Sequence, residues 1–382
     1  MMSAKEKVQQ SSRRSFLKLL LATTGALLIT PFLKACQRFE TPQLTDTPVK
    51  VNTPSATEQA SLTPEPVENT STPAQVRQSG LATIALVKTS DREAGVRQAL
   101  ELLGINPVQG KSVLLKPNFN STDPAPASSH PLTIKTLMTA LQGMGATQLT
   151  LADRSGMGHS RDVMQKLGIF DLASELGFDT LSFEDLVNES DWELINPPGS
   201  HWKNGFPFAR PALDAGAVVQ TCCLKPHRYG GHFTLSLKNT IGMVGKYRGS
   251  GGYNYMNELH NSAYQRLMIA ETNLAYNPAL ILLDGVEAFI DQGPDIGTKV
   301  PGNLILAGTD RIAMDVFGLA ALRLLGMTGE AARGSIFGQE QIARAVELKL
   351  GIGSADKIRI ITMDDASQIY ADQIMEVLVR DG

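Results

Sequence analysis

The sequence has little cysteine, with only Cys36, Cys222 and Cys223 among 382 residues. Adjacent cysteines rarely bridge because their side chains diverge in extended backbone, so no disulfide framework is expected. A C-x-x-C-x-x-C run is missing, and we expect no iron–sulfur cluster. The sequence also lacks G-x-G-x-x-G, G-x-S-x-G and H-E-x-x-H. These absences exclude the usual signatures of dinucleotide binding, of α/β-hydrolases and of zinc proteases.

An excess of basic residues is also lacking outside the N-terminal segment. Residues 1–36 hold six of the 35 basic side chains and one of the 38 acidic ones, so the remainder carries a formal net charge of −8. A domain of that sign repels nucleic acid and has no polybasic patch for anionic lipid. We therefore expect no nucleic-acid partner, and any membrane attachment has to come from the N-terminal segment.

That N-terminal segment has the layout of an export signal. Residues 12–18 read S-R-R-S-F-L-K and resemble the twin-arginine export consensus, so the twin-arginine translocase is a predicted partner during export. The apolar run at 19–33 is shorter and more polar than the about 20 apolar residues of a membrane span. Leu33 to Cys36 resembles a lipoprotein cleavage box, with Cys36 as the lipidated residue. An uncut N-terminal membrane helix remains the alternative.

Residues 37–80 are rich in Thr, Pro, Ser, Gln and Glu and show no apolar periodicity. Such a segment cannot bury enough apolar surface to fold, and its prolines favour an extended spacer. The sequence therefore predicts three parts: a signal peptide with a lipobox at 1–36, a disordered tether at 37–80, and a folded domain at 81–382. Lipidation at Cys36 would anchor that domain to the outer face of the cytoplasmic membrane.

In the folded part, short apolar runs alternate with amphipathic stretches. The pattern predicts strands at 82–88, 112–116, 148–153, 215–224, 279–284, 303–307 and 357–362. It predicts helices at 92–103, 131–144, 160–176, 235–244, 257–276, 310–325 and 339–350. This alternation is typical of an α/β fold with a mostly parallel sheet and helices on both faces. The extra length predicts either a large insertion or a second, intimately packed lobe.

Polar side chains follow the predicted strands, where ligands bind in open parallel sheets. They form four groups in chain order: Lys116, Asn118 and Asn120; Asp153, Arg154 and Ser155; Lys225, His227 and Arg228; and Asp284 with Glu287. If the strands are parallel, we expect all four groups to meet in one cleft.

Several of these segments resemble the DUF362 family. The matching segments are K-P-N-F-N at 116–120, H-P at 130–131, the turn at Asp153, K-P-H at 225–227 and L-S-L-K-N at 235–239. The resemblance covers roughly 82–315 and implies an α/β domain of unassigned activity. Some relatives are fused to iron–sulfur modules, which this chain lacks.

The stretch from Cys222 to Asn254 concentrates basic side chains among glycines. Glycines let backbone N–H groups approach an anion, and fixed cations neutralise it, so a carboxylate or phosphate ligand is predicted. We expect the catalytic residues to be Lys225, His227, Lys238 and Asn239. We expect the substrate-binding residues to be Lys116, Asn118, Asn120, Asp153, Arg228, Lys246 and Arg248. A solvated glycine loop whose charges face water is the alternative.

A divalent metal is a second candidate ligand. His227 and His232 lie five residues apart, and together with Asp153 they would suit a transition metal with an open coordination position. Alternatively, the histidines bond to backbone or serve as acid and base. Cys222 and Cys223 end an apolar run and are predicted to be buried as small apolar side chains.

Three functions are compatible with these features. The leading one is an extracytoplasmic enzyme acting on a small anionic substrate. The second is a non-catalytic lipoprotein that captures an anion or a metal. The third is a redox accessory protein.

Overall fold

Strands and helices alternate along residues 80–382, the part of the chain that this computed structural model describes. The predicted leader at 1–36 and nearly all of the predicted tether at 37–80 lie outside these residues. Within 80–382, no helix combines the length and the apolar character needed to cross a bilayer.

Twelve strands are numbered along the described residues in chain order. They are β1 (Ala82–Lys88), β2 (Ser112–Lys116), β3 (Gln148–Asp153), β4 (Asp179–Ser182), β5 (Trp192–Ile195), β6 (Phe206–Ala209), β7 (Ala217–Leu224), β8 (Pro226–His227), β9 (His232–Phe233), β10 (Leu280–Phe289), β11 (Lys299–Gly308) and β12 (Ile358–Ile361).

Helices are numbered in the same way. They are α1 (Arg92–Leu103), α2 (Pro131–Gly143), α3 (Ser160–Lys166), α4 (Ile169–Leu176), α5 (Arg210–Asp214), α6 (Ser236–Asn239), α7 (Tyr255–Asn261), α8 (Gln265–Thr272), α9 (Arg311–Leu324), α10 (Glu340–Glu347) and α11 (Asp365–Asp381).

Eight strands form one sheet in the order β12-β1-β11-β10-β7-β2-β3-β4. All neighbouring pairs are parallel except the two that involve β11, which runs antiparallel to both β1 and β10. The predicted mostly parallel α/β sheet is confirmed.

Helices cover both faces of this sheet. Along β1, Ile84 and Leu86 belong to an apolar core shared with α9 and α11, whereas Ala85 and Val87 belong to a second core shared with α1 and α2. Successive strand residues point to opposite faces, so one strand contributes to both cores. Side-chain caps fix the ends of the covering helices. Asp310, for example, accepts hydrogen bonds from the N–H groups of the second and third residues of α9, both at 2.9 Å.

The remaining length lies in two segments, one before and one after β7, that pack onto the sheet. Hairpin β5–β6 and helices α7 and α8 surround a third apolar core that includes Trp192, Trp202 and Phe208. Residues 80–382 lie within one compact unit. Of the two predicted arrangements, the structure therefore has one α/β unit, with the extra length divided between the two connections that flank β7.

Three predicted helices are interrupted. The helix predicted at 160–176 divides at Gly168, whose φ of +71° is a left-handed conformation that glycine adopts without strain. The helix predicted at 257–276 divides at Ser262, where the hydroxyl accepts a hydrogen bond from the Tyr264 N–H at 3.0 Å and competes with the helical pattern. The helix predicted at 235–244 is reduced to α6 and a 3₁₀ turn at Thr240–Met243.

Candidate functional site

Three parallel strands carry charged residues to the same edge of the sheet. β2 ends at Lys116, β3 ends at Asp153, and Lys225 directly follows β7. Because β7, β2 and β3 are neighbours, their carboxyl ends lie side by side. The three side chains line one pocket.

The site consists of a small inner pocket that opens into a larger cleft. The inner pocket has a volume of about 60 Å³ and is lined by Lys116, Asn118, Phe119, Asn120, Asp153, Arg154, Gly156, Lys225, His227, Thr234, Lys238, Asn239, Ile241, Gly242 and Pro294. The outer cleft, about 780 Å³, shares Arg154, His227 and Lys238 with the inner pocket and adds Lys246, Met256 and His260. A small molecule entering through the outer cleft would reach the strand ends.

An ion pair forms the floor of the inner pocket. Lys116 Nζ lies 2.7 Å from Asp153 Oδ1, and both side chains are buried. Lys116 Nζ also donates to Asn239 Oδ1 at 3.0 Å, and Asp153 Oδ2 accepts from the Phe119 N–H at 2.8 Å. Burial raises the pKa of Asp153 and lowers that of Lys116, against the attraction between them. Asp153 is therefore already engaged by partners within the chain.

The 3₁₀ turn after α6 passes unusually close to this ion pair. A Cβ at Gly242 would lie 2.4 Å from Asp153 Oδ1 and 2.4 Å from Lys116 Cε, closer than any side chain tolerates. Arg154 secures the turn: its backbone N–H donates to Gly242 O at 3.0 Å, and its guanidinium donates to Val244 O and to the carbonyl oxygen of residue 241. These contacts replace the regular helix that the sequence predicts here.

Lys225 is fully buried and held by backbone oxygens. Its Nζ donates to Ala127 O and to Pro294 O, the latter at 3.1 Å. Burial lowers the pKa of Lys225 to about 8, although the nearby Cys223 and Asp295 oppose that shift. Lys225 therefore adds positive charge at neutral pH in a position that hydrogen bonds keep fixed.

Lys238 and His227 meet beside Gly231. A Cβ added to Gly231 would lie 2.8 Å from Lys238 Cε and 3.0 Å from His227 Nδ1. Burial, then the charges of Lys225, Arg154 and Lys116, lowers the pKa of Lys238 to about 7. Burial, then Lys238 and Lys225, lowers the pKa of His227 well below its ordinary value, so the imidazole is neutral.

Most of the predicted site residues come together here. Eight of them line the inner pocket: Lys116, Asn118, Asn120, Asp153, Lys225, His227, Lys238 and Asn239. Lys246 lines the outer cleft. Arg228 and Arg248 line neither; Arg228 instead pairs with Asp295 at 2.8 Å. The predicted substrate-binding role of these two arginines has no support in this geometry.

The prediction that Asp284 and Glu287 would meet the same cleft is wrong. The sequence pattern ends the strand at Asp284, whereas β10 continues to Phe289. Asp284 therefore lies within the strand, where Oδ2 accepts from Thr133 Oγ1 at 2.6 Å and from Arg92 Nε at 3.1 Å. Glu287 pairs with the same Arg92 at 2.7 Å. Asp284 thus attaches both α1 and α2 to the sheet, and Glu287 attaches α1.

The predicted metal set is not assembled. Among residues 80–382, no three His, Cys, Asp or Glu side chains are grouped as metal ligands would be. His232 lies opposite His227 in the β8–β9 pair but does not line the pocket; the charges acting on it come from Arg266, Glu330 and Glu340. Asp153 is engaged by the Lys116 ammonium. These residues do not fit a divalent metal.

His260 is a site residue that sequence reasoning missed. It lies on α7 with its side chain exposed at the outer cleft, where partial burial, then the charges of Lys238 and Arg154, lowers its pKa. No local pattern around residue 260 indicates this position, because it depends on how α7, in the connection between β7 and β10, packs against the cleft. The sequence indicates Arg154 only as a strand-end residue. Cys222 and Cys223 are buried, as predicted.

Fold and site together define an α/β protein with a positively charged pocket at the carboxyl edge of its sheet. The sequence profile of DUF362, described as a domain of unknown function, matches residues 113–320. This match spans more than half of the chain, and the protein belongs to the DUF362 family.

Two individual proteins are similar to this chain. The thylakoid-associated protein sll1697 of Synechocystis sp. is 26% identical over 245 residues, which are 61% of this chain and 72% of that protein. The lactate racemase apoprotein of Thermoanaerobacterium thermosaccharolyticum is 16% identical, with a TM-score of 0.38, over 78% of this chain and 86% of that one.

Proposed function

We propose that this protein is an enzyme acting on a small anionic substrate, a carboxylate or a phosphate, at the inner pocket. One observation supports this most: four basic side chains line the pocket, Lys116, Arg154, Lys225 and Lys238, against a single carboxylate, Asp153, which is already paired. Uncompensated buried charge is costly. The lowered pKa of Lys238 reflects the cost of burying these positive charges together. A bound anion would remove that cost.

Two unpartnered polar atoms support a ligand at this position. Asn118 Oδ1 and His227 Nδ1 are buried and have no hydrogen-bond partner among the described residues. Buried polar atoms in native proteins are normally hydrogen-bonded, so orphaned ones at a pocket suggest a missing ligand or water. A substrate carrying both an anionic group and a hydroxyl could place the anion at Lys238 and donate its hydroxyl hydrogen to Asn118 Oδ1 or to His227 Nδ1.

The residues have distinct roles in this proposal. Lys116 and Lys225 supply fixed positive charge that holds the anionic group, and Asn239 orients Lys116 through its Oδ1. Lys238 and His227 are the catalytic residues, since each has a side chain able to gain or lose a proton near neutral pH or below.

Anion binding should depend on Lys238 and on pH. For the full chain purified in detergent, we expect calorimetry to show binding of phosphate, acetate or pyruvate at pH 6, weakening as the pH rises through about 7, because the ammonium of Lys238 then loses its proton. Lys238→Met should weaken binding about ten-fold or more, since a charge-assisted hydrogen bond contributes roughly 1.5–3 kcal/mol.

The matched control is Lys357→Met, an exposed lysine that pairs only with Asp356. It should bind as the parent does. Equal affinity in both variants, or no binding of any of the three anions, contradicts the proposal. His227→Ala and Lys238→Ala should abolish conversion of a bound anion while leaving the fold intact; tight binding without any product would favour a solute receptor instead.

We further propose that the chain is an exported lipoprotein, anchored to the outer face of the cytoplasmic membrane through Cys36. Support comes from the twin-arginine sequence around Arg13 and Arg14, the short apolar run after it, and the lipobox-like residues 33–36. The polar segment at 37–80 would then hold the catalytic domain away from the lipid.

Replacing Cys36 with serine tests this anchor. We expect Cys36→Ser to remove incorporation of labelled fatty acid and to leave the chain as an unlipidated precursor, while Cys222→Ser remains labelled because that thiol is buried in the folded domain. Fractionation and mass spectrometry of the N-terminal peptide would measure both. An unlabelled parent chain that keeps residues 1–36 would identify the uncut helix as the anchor.

A further inference from the structure

The three lysines of the inner pocket differ in what their ammonium groups contact. Lys116 Nζ forms an ion pair with Asp153 and donates hydrogen bonds to Asn239 Oδ1 and Pro117 O. Lys225 Nζ donates hydrogen bonds to two backbone carbonyl oxygens. Lys238 Nζ has no hydrogen bond or ion pair to any residue within 80–382, although it lines both the inner pocket and the outer cleft. Of these three lysines, Lys238 is the one whose nitrogen is available to a substrate.

The surroundings of Lys238 favour its neutral form. Basic groups that line the same pocket and cleft come from different elements: Lys116 at the end of β2, Arg154 after β3, Lys225 and His227 after β7, and His260 on α7. The acids on these linings are Asp153, which is paired with Lys116, and Glu184 in the outer cleft. Together with burial, the positive charges lower the pKa of Lys238 to about 7, so a large fraction of the amine is unprotonated at neutral pH. An unprotonated amine is a nucleophile.

A proton acceptor lies next to this amine. His227 Nδ1 and Lys238 Cε approach the same point beside Gly231, where the missing side chain leaves room for both. His227 is neutral, and its Nδ1 has no hydrogen-bond partner among the described residues. It can therefore take a proton from one atom of a reacting molecule and return it to another.

We propose that Lys238 forms an imine with a small carbonyl compound that carries a carboxylate or phosphate group. This inference rests on the proposed function and specifies its substrate class. One pocket is lined by the unpartnered Lys238 amine, by the cations of Lys116 and Lys225, whose positive charge would attract the anionic group, and by His227, which would move the proton.

The atoms balance without a further reactant. The nitrogen of Lys238 forms a bond to the carbonyl carbon, and the C–O π bond breaks as its electron pair moves to oxygen. His227 transfers a proton from the nitrogen to that oxygen, which gives a carbinolamine. The carbinolamine then loses its hydroxyl group and the second proton of the nitrogen as one molecule of water. This step leaves a C=N bond between the substrate and Lys238.

Reductive trapping tests the proposal. The full chain in detergent is incubated with pyruvate and sodium borohydride at pH 7, digested and mapped by mass spectrometry. We expect a reduced pyruvate adduct at Lys238, at least about ten-fold more abundant than at the exposed Lys357, because an ordinary lysine with a pKa near 10.4 is almost entirely protonated at that pH. Glyceraldehyde 3-phosphate, used separately, tests the phosphate form.

Two variants give matched controls. Lys238→Arg keeps a positive charge but lacks a reactive amine, so we expect it to bind pyruvate in calorimetry and to form no adduct in this peptide. Lys357→Arg should trap pyruvate at Lys238 as the parent does. His227→Ala should slow trapping at least about ten-fold while pyruvate still binds, in line with the contribution of general acid–base catalysis.

The outcomes separate this inference from the proposed function. If pyruvate and glyceraldehyde 3-phosphate bind but form no adduct at Lys238, or label Lys357 equally, the imine proposal is wrong. The proposed anion-binding enzyme would then remain. Failure of every anion to bind overturns the proposed function as well. Mapping the adduct in the parent chain requires no variant to fold, so the result stands even if Lys238→Arg is unstable.

Discussion

Replacing Asp153 with alanine should lower the free energy of unfolding by about 3–5 kcal/mol, the usual cost of removing one partner from a buried ion pair. The substitution leaves the Lys116 ammonium buried without its carboxylate, 2.7 Å away in the structure. It also leaves the Phe119 N–H without its acceptor. Urea unfolding of the full chain at pH 7 would measure the loss.

The matched control is Glu175→Ala, which also removes one carboxylate from a lysine pair. Glu175 contacts Lys135 at 2.5 Å, but about half of each side chain is exposed. Exposed pairs contribute little, so we expect a change of no more than about 1 kcal/mol. Similar losses in both variants would mean that the Lys116–Asp153 pair is not structurally important. Adding Lys116→Met to Asp153→Ala should recover part of the loss, because no unpaired charge then remains.

The parallel part of the sheet is predictable because each strand is a short apolar run followed by a helical pattern. The alternation of strands and helices does not predict the antiparallel direction of β11, because the predicted strands at 279–284 and 303–307 leave a link at 285–302 that is long enough for a parallel crossover. Residues 290–298 between β10 and β11 hold no helix, and a parallel connection needs a crossover of a dozen residues or more. The antiparallel pair therefore becomes evident only when the full extents of β10 and β11 are known.

The C-terminal helix α11 is absent from the predicted helices, although its sequence carries the usual signals. Asp364 caps its first turn through the Ser367 N–H at 2.7 Å, and Ile374 and Leu378 are buried at a helical spacing. The short strand β4 is also absent from the prediction. With four residues, it has too few side chains for a period to be recognised.

The candidate site is predictable where it follows from strand ends and unpredictable where it follows from tertiary packing. Lys116, Asp153 and Lys225 converge because β2, β3 and β7 are parallel neighbours. His260 lies in the connection between β7 and β10, and only the packing of α7 brings it to the cleft. Arg228 is also basic and follows the same strand as Lys225. It pairs with Asp295, however, and does not line the pocket.

Gly242→Ala adds one methyl group at the centre of the site and is the second substitution with a large expected effect. The new Cβ would lie 2.4 Å from Asp153 Oδ1 and 2.4 Å from Lys116 Cε, so either the 3₁₀ turn or the ion pair has to move. Overpacking of a well-packed region costs about 1–3 kcal/mol. Because the same turn follows Lys238 and Asn239, its displacement should also weaken phosphate binding about ten-fold or more, a loss of about 1.4 kcal/mol.

Gly251→Ala is the control, since a Cβ at Gly251 would meet nothing within 4 Å and neither glycine has a left-handed backbone. The two variants therefore differ in what the methyl group contacts and not in backbone strain. Urea unfolding and phosphate calorimetry on both give the comparison. If Gly242→Ala resembles Gly251→Ala in both measurements, the turn does not constrain the ion pair. A variant that loses stability but binds phosphate normally would separate the ion pair's structural role from anion binding, and would place the bound anion nearer to Lys238 than to Lys116.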